Sequence, residues 1–494
     1  MLYQSTRESK KKLTAAKAIV QGLSDDGGLF VPETFPQIFS QINDLVPKPY
    51  KERAAYVMSL YLDDFSFEEI NQYTAEAYNE TGFDDATIAP LHKLDDNTHF
   101  LELWHGPTCA FKDMALQMLP RLLTASLRKT EEKREVCVLV ATSGDTGKAA
   151  LEGFCDVPGT RIMVFYPSEG VSQIQQLQMT TQSGKNVNVV AVEGNFDDAQ
   201  SGVKAIFSDE ALRCALSDAG FFLSSANSIN WGRLVPQIAY YISAYCDLLG
   251  SGHIKLGDKI NFCVPTGNFG NILAAYYAEK MGLPIGKLIC ASNCNDVLTQ
   301  FIDSGVYDRN RQFFTTISPS MDILVSSNLE RLLFEASGKD AKIVSDYMSK
   351  LGSNGKYEVT ESLKSEIARI FASGMCSEKD TMDTIAKALN NYNYLMDTHT
   401  AVAYKVLEDY RESTGDTTPT VVVSTASPFK FCDSVLDALK QPHGDGIELL
   451  QQLAEVSGAS VPAPLSELKG RASRFSDCVA VDKMKGEVVR FLKG

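Results

Sequence analysis

From about residue 135 onward the chain repeats one pattern, and this pattern constrains the fold more than any other feature. A short apolar run is followed by a loop rich in Gly, Ser, Asn and Asp, and then by an amphipathic helix. The apolar runs are 136–140, 162–166, 187–192, 260–264, 288–291 and 421–423. Continuous apolar strands separated by helices are typical of parallel sheets covered on both faces. The sequence therefore predicts an α/β fold.

The same pattern occurs before and after residue ~230, which predicts two doubly wound parallel-sheet lobes. We expect a smaller lobe over residues 96–225 and a larger lobe over 226–494. Residues 1–95 have polar helical patterns around the turn at 24–28 and are expected to form a helical capping subdomain. Residues 340–395 lack strand patterns and are expected to be a helical insert. Ligands of such folds bind beyond the carboxyl ends of the strands.

Composition excludes several classes of function. The formal net charge of −15 argues against nucleic acid as a partner, because phosphate backbones require a basic surface. No apolar run reaches the roughly 18–20 residues that span a bilayer, and no signal peptide is recognisable, so no membrane contact is expected. The eleven cysteines include no CxxC pair and the six histidines no HExxH, which predicts a reduced, cytoplasmic protein without a metal site. A monomer and a homodimer both remain open.

The run PTGNFGN at 265–271 follows an apolar strand and opens a helix. Two glycines allow a tight turn that directs several backbone N–H groups at one point, where the helix dipole also favours negative charge. This arrangement suits a phosphate group. A tight strand-to-helix turn without any ligand is the alternative.

The run TSGDTG at 142–147 lies in an equivalent setting, and its hydroxyl and N–H groups suit a carboxylate or a phosphate. A nucleotide-binding P-loop requires GxxxxGK[ST]. Thr142 stands where the first glycine is needed, and Ala149 replaces the hydroxyl that binds Mg²⁺. The P-loop interpretation therefore fails, and a simple helix-capping loop remains the alternative.

Lys112 lies at the junction between an apolar run and the helix MALQMLPRLL. Most lysines are solvated, and solvation is the default interpretation for any single one. Burial at such a junction disfavours the charged form of the amine, which then serves as a nucleophile and proton carrier. Schiff-base chemistry requires these properties.

Together these motifs resemble the threonine synthases, a family of pyridoxal-phosphate-dependent enzymes. The resemblance rests on HGPTCAFKD at 105–113, TSGDTG, PTGNFGN and STASPFKF at 424–431. Further segments in the same order are STRE at 5–8, SDDGGLFVPE at 24–33, VSQIQQLQM at 171–179, SINWGR at 228–233, SPSMDI at 318–323 and DTHTAVA at 397–403. The resemblance implies the tryptophan-synthase-β-like fold, with two lobes and pyridoxal 5'-phosphate between them.

The resemblance also implies roles for individual residues. Lys112 matches the Schiff-base lysine, and Thr425 matches the hydroxyl residue beside the pyridine nitrogen. The residues implied to hold the cofactor phosphate are Gly267, Asn268, Phe269, Gly270 and Asn271. Those implied to bind the substrate carboxylate are Thr142, Ser143, Gly144, Asp145 and Thr146. Two positions depart from the commoner pattern, Cys109 in place of Leu and Ser427 in place of His, and neither has a matched role.

Two histidines near these motifs are given structural interpretations. His105 is expected to pack or cap near the cofactor rather than to act as the base. His399 precedes the helix AVAYKVLE and is also expected to be structural.

The implied reaction is the conversion of O-phospho-L-homoserine and water to L-threonine and phosphate. Lys112 would hold the cofactor through a Schiff base and, once free, take the proton from the substrate Cα. The alternatives are a dehydratase or phospholyase of the same fold, and a paralogue that has lost catalysis.

Overall fold

The computed structural model describes residues 1–8 and 11–493. The strands, numbered in chain order, are β1 Tyr3–Ser5, β2 Lys12–Leu13, β3 Phe30–Pro32, β4 Leu91–Lys93, β5 Thr98–Glu102, β6 Glu135–Ala141, β7 Thr160–Pro167, β8 Val187–Val192, β9 Phe221–Ser225, β10 Ile260–Pro265, β11 Ile285–Ser292, β12 Val306–Asp308, β13 Lys356–Glu358, β14 Phe371–Met375, β15 Thr420–Ser424 and β16 Cys478–Val479.

The α-helices are α1 Ala15–Gln21, α2 Ile42–Leu45, α3 Tyr50–Ser59, α4 Phe67–Ala77, α5 Asp113–Leu116, α6 Leu119–Lys129, α7 Asp145–Phe154, α8 Gln173–Thr180, α9 Phe196–Ser208, α10 Glu210–Asp218, α11 Trp231–Gly250, α12 Gly270–Lys280, α13 Val297–Ser304, α14 Leu329–Ala336, α15 Ala341–Asn354, α16 Glu361–Ile370, α17 Glu378–Tyr392, α18 Thr398–Thr414, α19 Cys432–Ala438, α20 Glu448–Ser457, α21 Ala463–Ser466 and α22 Met484–Lys493. Short 3₁₀ turns include Pro319–Met321 and Pro428–Phe431. None of the helices in the described ranges is long and apolar enough to cross a membrane.

The larger sheet has six strands in the order β14-β11-β10-β15-β5-β4. All neighbours pair in parallel except β4, which runs antiparallel to β5 at the edge. Every residue of β10 and β15 is buried, so the centre of this sheet is covered on both faces. The continuous apolar runs of these strands follow from that burial.

The smaller sheet has five parallel strands in the order β16-β8-β7-β6-β9. The chain moves outward from β6 through β7 to β8 and then returns to place β9 on the other side of β6. This reversal defines a doubly wound sheet with its switch point beside β6. The prediction of an α/β chain with two doubly wound parallel-sheet lobes is confirmed.

Helix α8 begins with a capping box. The Ser172 side chain accepts from the Gln175 N–H, and the Gln175 side chain accepts from the Ser172 N–H. Both orphan donors at the start of α8 are therefore satisfied by side chains.

Three expectations about segments differ from the structure. Residues 1–95 contain helices but also an antiparallel sheet, β2-β1-β3, whose strands are too short for periodicity to reveal. The division at residue 96 assigns β5 to the smaller lobe, whereas β5 pairs with β15 in the larger sheet. The 340–395 insert is not wholly helical, because β13 and β14 lie within it and β14 is an edge strand of the larger sheet.

Four strands bring the motifs to one place. Lys112 follows β5, residues 142–146 follow β6, residues 266–271 follow β10 and Thr425 follows β15 directly. Strands β5, β10 and β15 belong to the larger sheet and β6 to the smaller one, and parallel strands present their carboxyl ends at the same edge. The motifs therefore meet between the two lobes.

Candidate active site

One pocket between the lobes is lined by residues from all four motifs. Its walls include Lys112, residues 141–143, Thr146, residues 265–271 and Thr425. Further lining residues that no motif assignment covered include Asn227, Ser228, Arg233, Gln237, Ser320 and His399. The resemblance motifs SINWGR, SPSMDI and DTHTAVA thus also reach the pocket.

Lys112 lies immediately before α5 with only 6% of its surface exposed. Its Nζ donates to Asp145 Oδ2 at 2.9 Å and to Ser320 Oγ at 3.3 Å. The Phe111 N–H donates to the Thr425 carbonyl at 2.8 Å, which fixes the start of α5 against the end of β15. The amine predicted to carry the cofactor is therefore held in a buried position on the larger lobe.

Burial lowers the pKa of the Lys112 amine, which favours loss of its proton. The neighbouring positive charges of Lys430 and Arg233 lower the pKa further, and the Asp145 carboxylate acts in the opposite direction. These influences combine to give a lysine with more neutral amine at a given pH than a solvated lysine has.

Asp145 begins α7, and its carboxylate is 2% exposed. It receives Lys112 at 2.9 Å, Lys430 at 2.8 Å and the Gln175 amide at 2.7 Å. Burial alone would raise the pKa of this carboxyl, but the two ammonium groups outweigh burial and lower it. Asp145 is therefore ionised and directed at lysines of the opposite lobe.

The 142–146 loop is closed by its own first residue. Thr142 Oγ1 accepts the N–H of Gly144 at 3.0 Å and of Gly147 at 2.9 Å. Gly144 has φ of +138°, and a Cβ there would lie 2.5 Å from the Gln175 side chain. Thr142, Ser143 and Thr146 line the pocket, whereas Gly144 and Asp145 are not among its lining residues.

The 267–271 loop offers its backbone to the pocket at the start of α12. Phe269 adopts φ of +61°, which turns the chain into the helix. A second loop supports it: Ser326 Oγ donates to the Gly267 carbonyl, and both the backbone N–H and the side-chain amide of Asn328 donate to the Asn268 carbonyl. These bonds hold the loop in place, and the first N–H groups of α12, which have no partner within the helix, are suited to bind a ligand.

Three features of this loop fit a bound phosphate ester such as that of pyridoxal phosphate. A Cβ on Gly267 would lie 2.5 Å from the Ser320 carbonyl, so a side chain is excluded there, and one on Gly270 would be in tight contact with Ser228 Cβ at 3.3 Å. Asn271 Oδ1 accepts from Tyr240 and Tyr241, while its buried Nδ2 has no partner among the described residues. An unpaired buried donor beside a helix start is suited to an anionic or carbonyl ligand.

Comparison with known proteins decides the family. A profile described as threonine synthase N terminus matches residues 2–78, and one described as threonine synthase, C-terminal matches residues 400–488. The profile of pyridoxal-phosphate dependent enzymes matches residues 87–351, which is more than half of the chain. The chain belongs to the threonine synthase family.

Similar proteins include some named threonine synthase and some named threonine synthase-like 1. Threonine synthase of Pseudomonas aeruginosa is 40% identical over 440 residues, covering 88% of this chain and 90% of that protein. Human threonine synthase-like 1 is 40% identical over 436 residues, covering 86% of this chain. The chain spans only 58% of the length of that human relative.

A solved structure extends the similarity to the fold. The pyridoxal-phosphate-bound threonine synthase of Brucella melitensis superposes with a TM-score of 0.87 at 38% identity, covering 100% of both chains. The family profile and this structure together identify pyridoxal phosphate as the cofactor of this fold.

The sequence did not reveal the charged groups that surround Lys112. Lys430 is fully buried, and it lies between Phe429 and Phe431. A lysine between two phenylalanines was the available signal in the sequence. It indicates a buried charge, and a buried charge requires a partner of opposite charge.

The two histidines also have definite places in the threonine synthase fold. His399 donates from Nδ1 to Asp397 and accepts the Ser320 N–H at Nε2, 3.1 Å away. It therefore braces the turn that contacts Lys112. His105 lies between Asp84 and Glu102, and it is not among the residues that line the pocket. No group of three metal-ligating residues occurs within the part of the chain that the structure describes.

Proposed function

We propose that this chain is a threonine synthase, which converts O-phospho-L-homoserine and water to L-threonine and inorganic phosphate. The observation that carries the proposal is the placement of a buried amine, Lys112, between the starts of two helices, α7 and α12, at one pocket. Each helix start attracts an anion. A phosphorylated cofactor and an amino-acid carboxylate provide two such anions.

The cofactor would be held entirely by groups of the larger lobe. Lys112 would attach its aldehyde carbon, the N–H groups of residues 267–271 would bind its phosphate, and the Thr425 hydroxyl would lie beside its ring nitrogen. When bound, pyridoxal phosphate supplies an electron sink for the carbanion chemistry of the substrate amine. A hydroxyl at the ring nitrogen hydrogen-bonds without forcing protonation.

The substrate carboxylate would bind at the start of α7, at Ser143 and Thr146 and the backbone N–H groups of the 142–146 loop. Such binding fixes the substrate Cα close to Lys112. A free Lys112 amine would then take the Cα proton as general base, since burial favours its neutral form. The 142–146 loop and Lys112 belong to different lobes, so substrate binding would hold the lobes in one arrangement.

The test is an assay of the purified protein, loaded with pyridoxal phosphate, on O-phospho-L-homoserine. We expect L-threonine and inorganic phosphate in equal amounts. Phosphate together with a keto acid would replace the proposal with a lyase of the same fold. Absence of both products from protein shown to hold its cofactor would indicate another amine substrate or a non-catalytic paralogue.

A cytoplasmic location and a monomeric or homodimeric state stay predictions from the sequence. Cell fractionation and analytical ultracentrifugation of the purified protein would test them.

A further inference from the structure

Lys430 is a buried cation for which the proposed reaction has no direct use. It lies on the 3₁₀ turn Pro428–Phe431 that follows β15, and its side chain is 0% exposed. Its Nζ contacts Asp145 Oδ1 at 2.8 Å and donates to the Thr108 carbonyl at 2.8 Å. A fully buried ammonium is retained only with such partners.

Asp145 is thereby shared between two lysines. Lys430 approaches one carboxylate oxygen and Lys112 approaches the other, at 2.8 and 2.9 Å. A carboxylate that belonged to Lys112 alone would stabilise its ammonium form strongly, because the pair is buried. With two ammonium groups on one carboxylate, the cluster carries an excess positive charge. That excess disfavours the proton on Lys112, because Lys430 Nζ also donates to the Thr108 carbonyl, whereas the second contact of Lys112 Nζ is only the Ser320 hydroxyl.

The other charged groups around Lys112 do not cancel this effect. Arg233, at the start of α11, adds positive charge and lowers the pKa of Lys112 further. Asp322 and His399 line the same pocket. Asp322 is engaged by Asn293, Asn295 and Thr316, and His399 by Asp397 and Ser320. Asp145 is the carboxylate in direct contact with Lys112.

We propose that Lys430 is a positioning residue that shares Asp145 with Lys112 and thereby keeps Lys112 Nζ ready to lose its proton. The proposal rests on the proposed function in one respect, that Lys112 is the residue that attaches the cofactor. Lys430 also remains on Asp145 when Lys112 is attached elsewhere, so the buried carboxylate keeps a cation in every stage of the cycle.

The arrangement also joins the two lobes. Asp145 and Gln175 belong to α7 and α8 of the smaller lobe, whereas Lys112 and Lys430 follow strands of the larger sheet. Lys430 therefore holds the start of α7 in place at the pocket while Lys112 moves between its partners.

The test measures how fast the apoprotein attaches pyridoxal phosphate at different pH values. Only a neutral Lys112 amine can form the bond to the aldehyde carbon, whose oxygen leaves as water, so the acid limb of the rate reports the Lys112 pKa. In Lys430→Met we expect this limb to move to higher pH by roughly one unit or more. At a fixed pH below the limb the rate falls about tenfold for each unit.

Asp145→Asn should move the acid limb in the opposite direction. With its carboxylate removed, Lys112 faces Lys430 and Arg233 without an opposing charge, and the acid limb is expected at lower pH than in the unmodified protein. Lys148→Met is the matched control, because Lys148 is a buried lysine on α7 that pairs with Glu152 and Gln182 and lies outside the pocket lining. Its limb should stay unchanged.

An unmoved acid limb in Lys430→Met, or one that moves to lower pH, overturns the proposal. A purely structural role would slow attachment equally at every pH. If Lys430→Met does not fold, Lys430→Gln keeps a hydrogen-bonding group without the charge and carries the same expectation. The readout involves no amino-acid substrate, so it stands even if the protein makes no threonine. A Lys112→Ala protein that still attaches the cofactor would instead remove the premise.

Discussion

The starts of α7 and α12 face the same pocket, yet they are built differently. At α12, the carbonyls of the loop are bound by residues 326–328 of the same lobe, and Asn271, which lines the pocket, has an Nδ2 without a partner among the described residues. At α7, the loop uses the Thr142 hydroxyl to close on itself, and Asp145 reaches across to lysines of the other lobe.

This difference fits two kinds of ligand. A cofactor that stays bound is served by a rigid cradle contained within one lobe. A substrate that enters and leaves is served by a loop whose position depends on contact between lobes. Two helix starts with similar electrostatics can therefore have different roles, depending on which residues hold each of them in place.

The largest effect is expected at the residue that both helix starts face. Lys112→Ala should lower kcat by at least about 10³-fold, since the group proposed to attach the cofactor and accept the Cα proton is lost. Threonine release and the absorption of the attached cofactor are the measurements. Lys148→Ala serves as the control and should retain both. Normal turnover in Lys112→Ala would show that Lys112 is not the reactive group served by the two helix starts.

A change at the α12 side should affect the cofactor and spare the substrate. In Gly267→Ala the new Cβ would lie 2.5 Å from the Ser320 carbonyl, so the backbone of the cradle must shift. We expect cofactor affinity to fall about 10- to 100-fold, which corresponds to ~1–3 kcal/mol of overpacking. Equilibrium dialysis against pyridoxal phosphate measures it. Gly444→Ala, where a Cβ meets nothing within 4 Å, is the control.

A change at the α7 side should give the converse pattern. Thr142→Val removes the acceptor of two buried N–H groups, which costs roughly 1–3 kcal/mol and loosens the loop. We expect KM for O-phospho-L-homoserine to rise about 5- to 30-fold with cofactor affinity unchanged. Thr142→Ser keeps the hydroxyl and should keep KM. If Thr142→Val instead released the cofactor, the division of labour between the two helix starts would be refuted.

The smallest effect concerns a charged cluster outside both helix starts. Burial opposes the charge on His105, but hydrogen bonds with Asp84 and Glu102 prevail and raise its pKa to about 9. A raised folded-state pKa adds stability that is complete below the unfolded value of roughly 6.5 and is lost as pH rises through 9.

Thermal unfolding between pH 7 and 10 should therefore show a loss of about 1–2 kcal/mol, reduced from the full shift because the cluster is partly solvated. The loss should be absent in His105→Gln, and kcat at pH 7.5 should change little. A large fall in kcat would place His105 in the reaction and add a third region to the comparison.

The sequence was most informative where burial is continuous. The central strands β10 and β15 are buried along their whole length, so their apolar runs could be recognised without knowledge of their neighbours. The edge strand β14, with the sequence FASGM, has no such run, and the sequence predicts a helix there. Strand β5 was assigned to the other lobe because its partner β15 lies more than 300 residues away, and pairing at that distance leaves no local signal.

The site followed the same rule. Motifs that end a strand and begin a helix could be placed at one pocket, since parallel strands align their carboxyl ends. Asp145 is predicted to bind the substrate carboxylate with the rest of its loop, and the sequence does not reveal that its side chain lies against Lys112 and Lys430. The direction of the Asp145 side chain is set by tertiary contacts, which the periodicity of the sequence does not reveal.

The order of the strands has a consequence for synthesis of the chain on the ribosome. Strand β15 lies between β10 and β5 in the larger sheet, and β16 completes the edge of the smaller one. Until residues near 420 have emerged, β5 and β10 both present unpaired edges, and the edge of β8 stays open until residues near 479 follow. Exposed edges promote aggregation of nascent chains. Chaperones should therefore stay bound to the nascent chain until β15 and β16 have emerged from the ribosome.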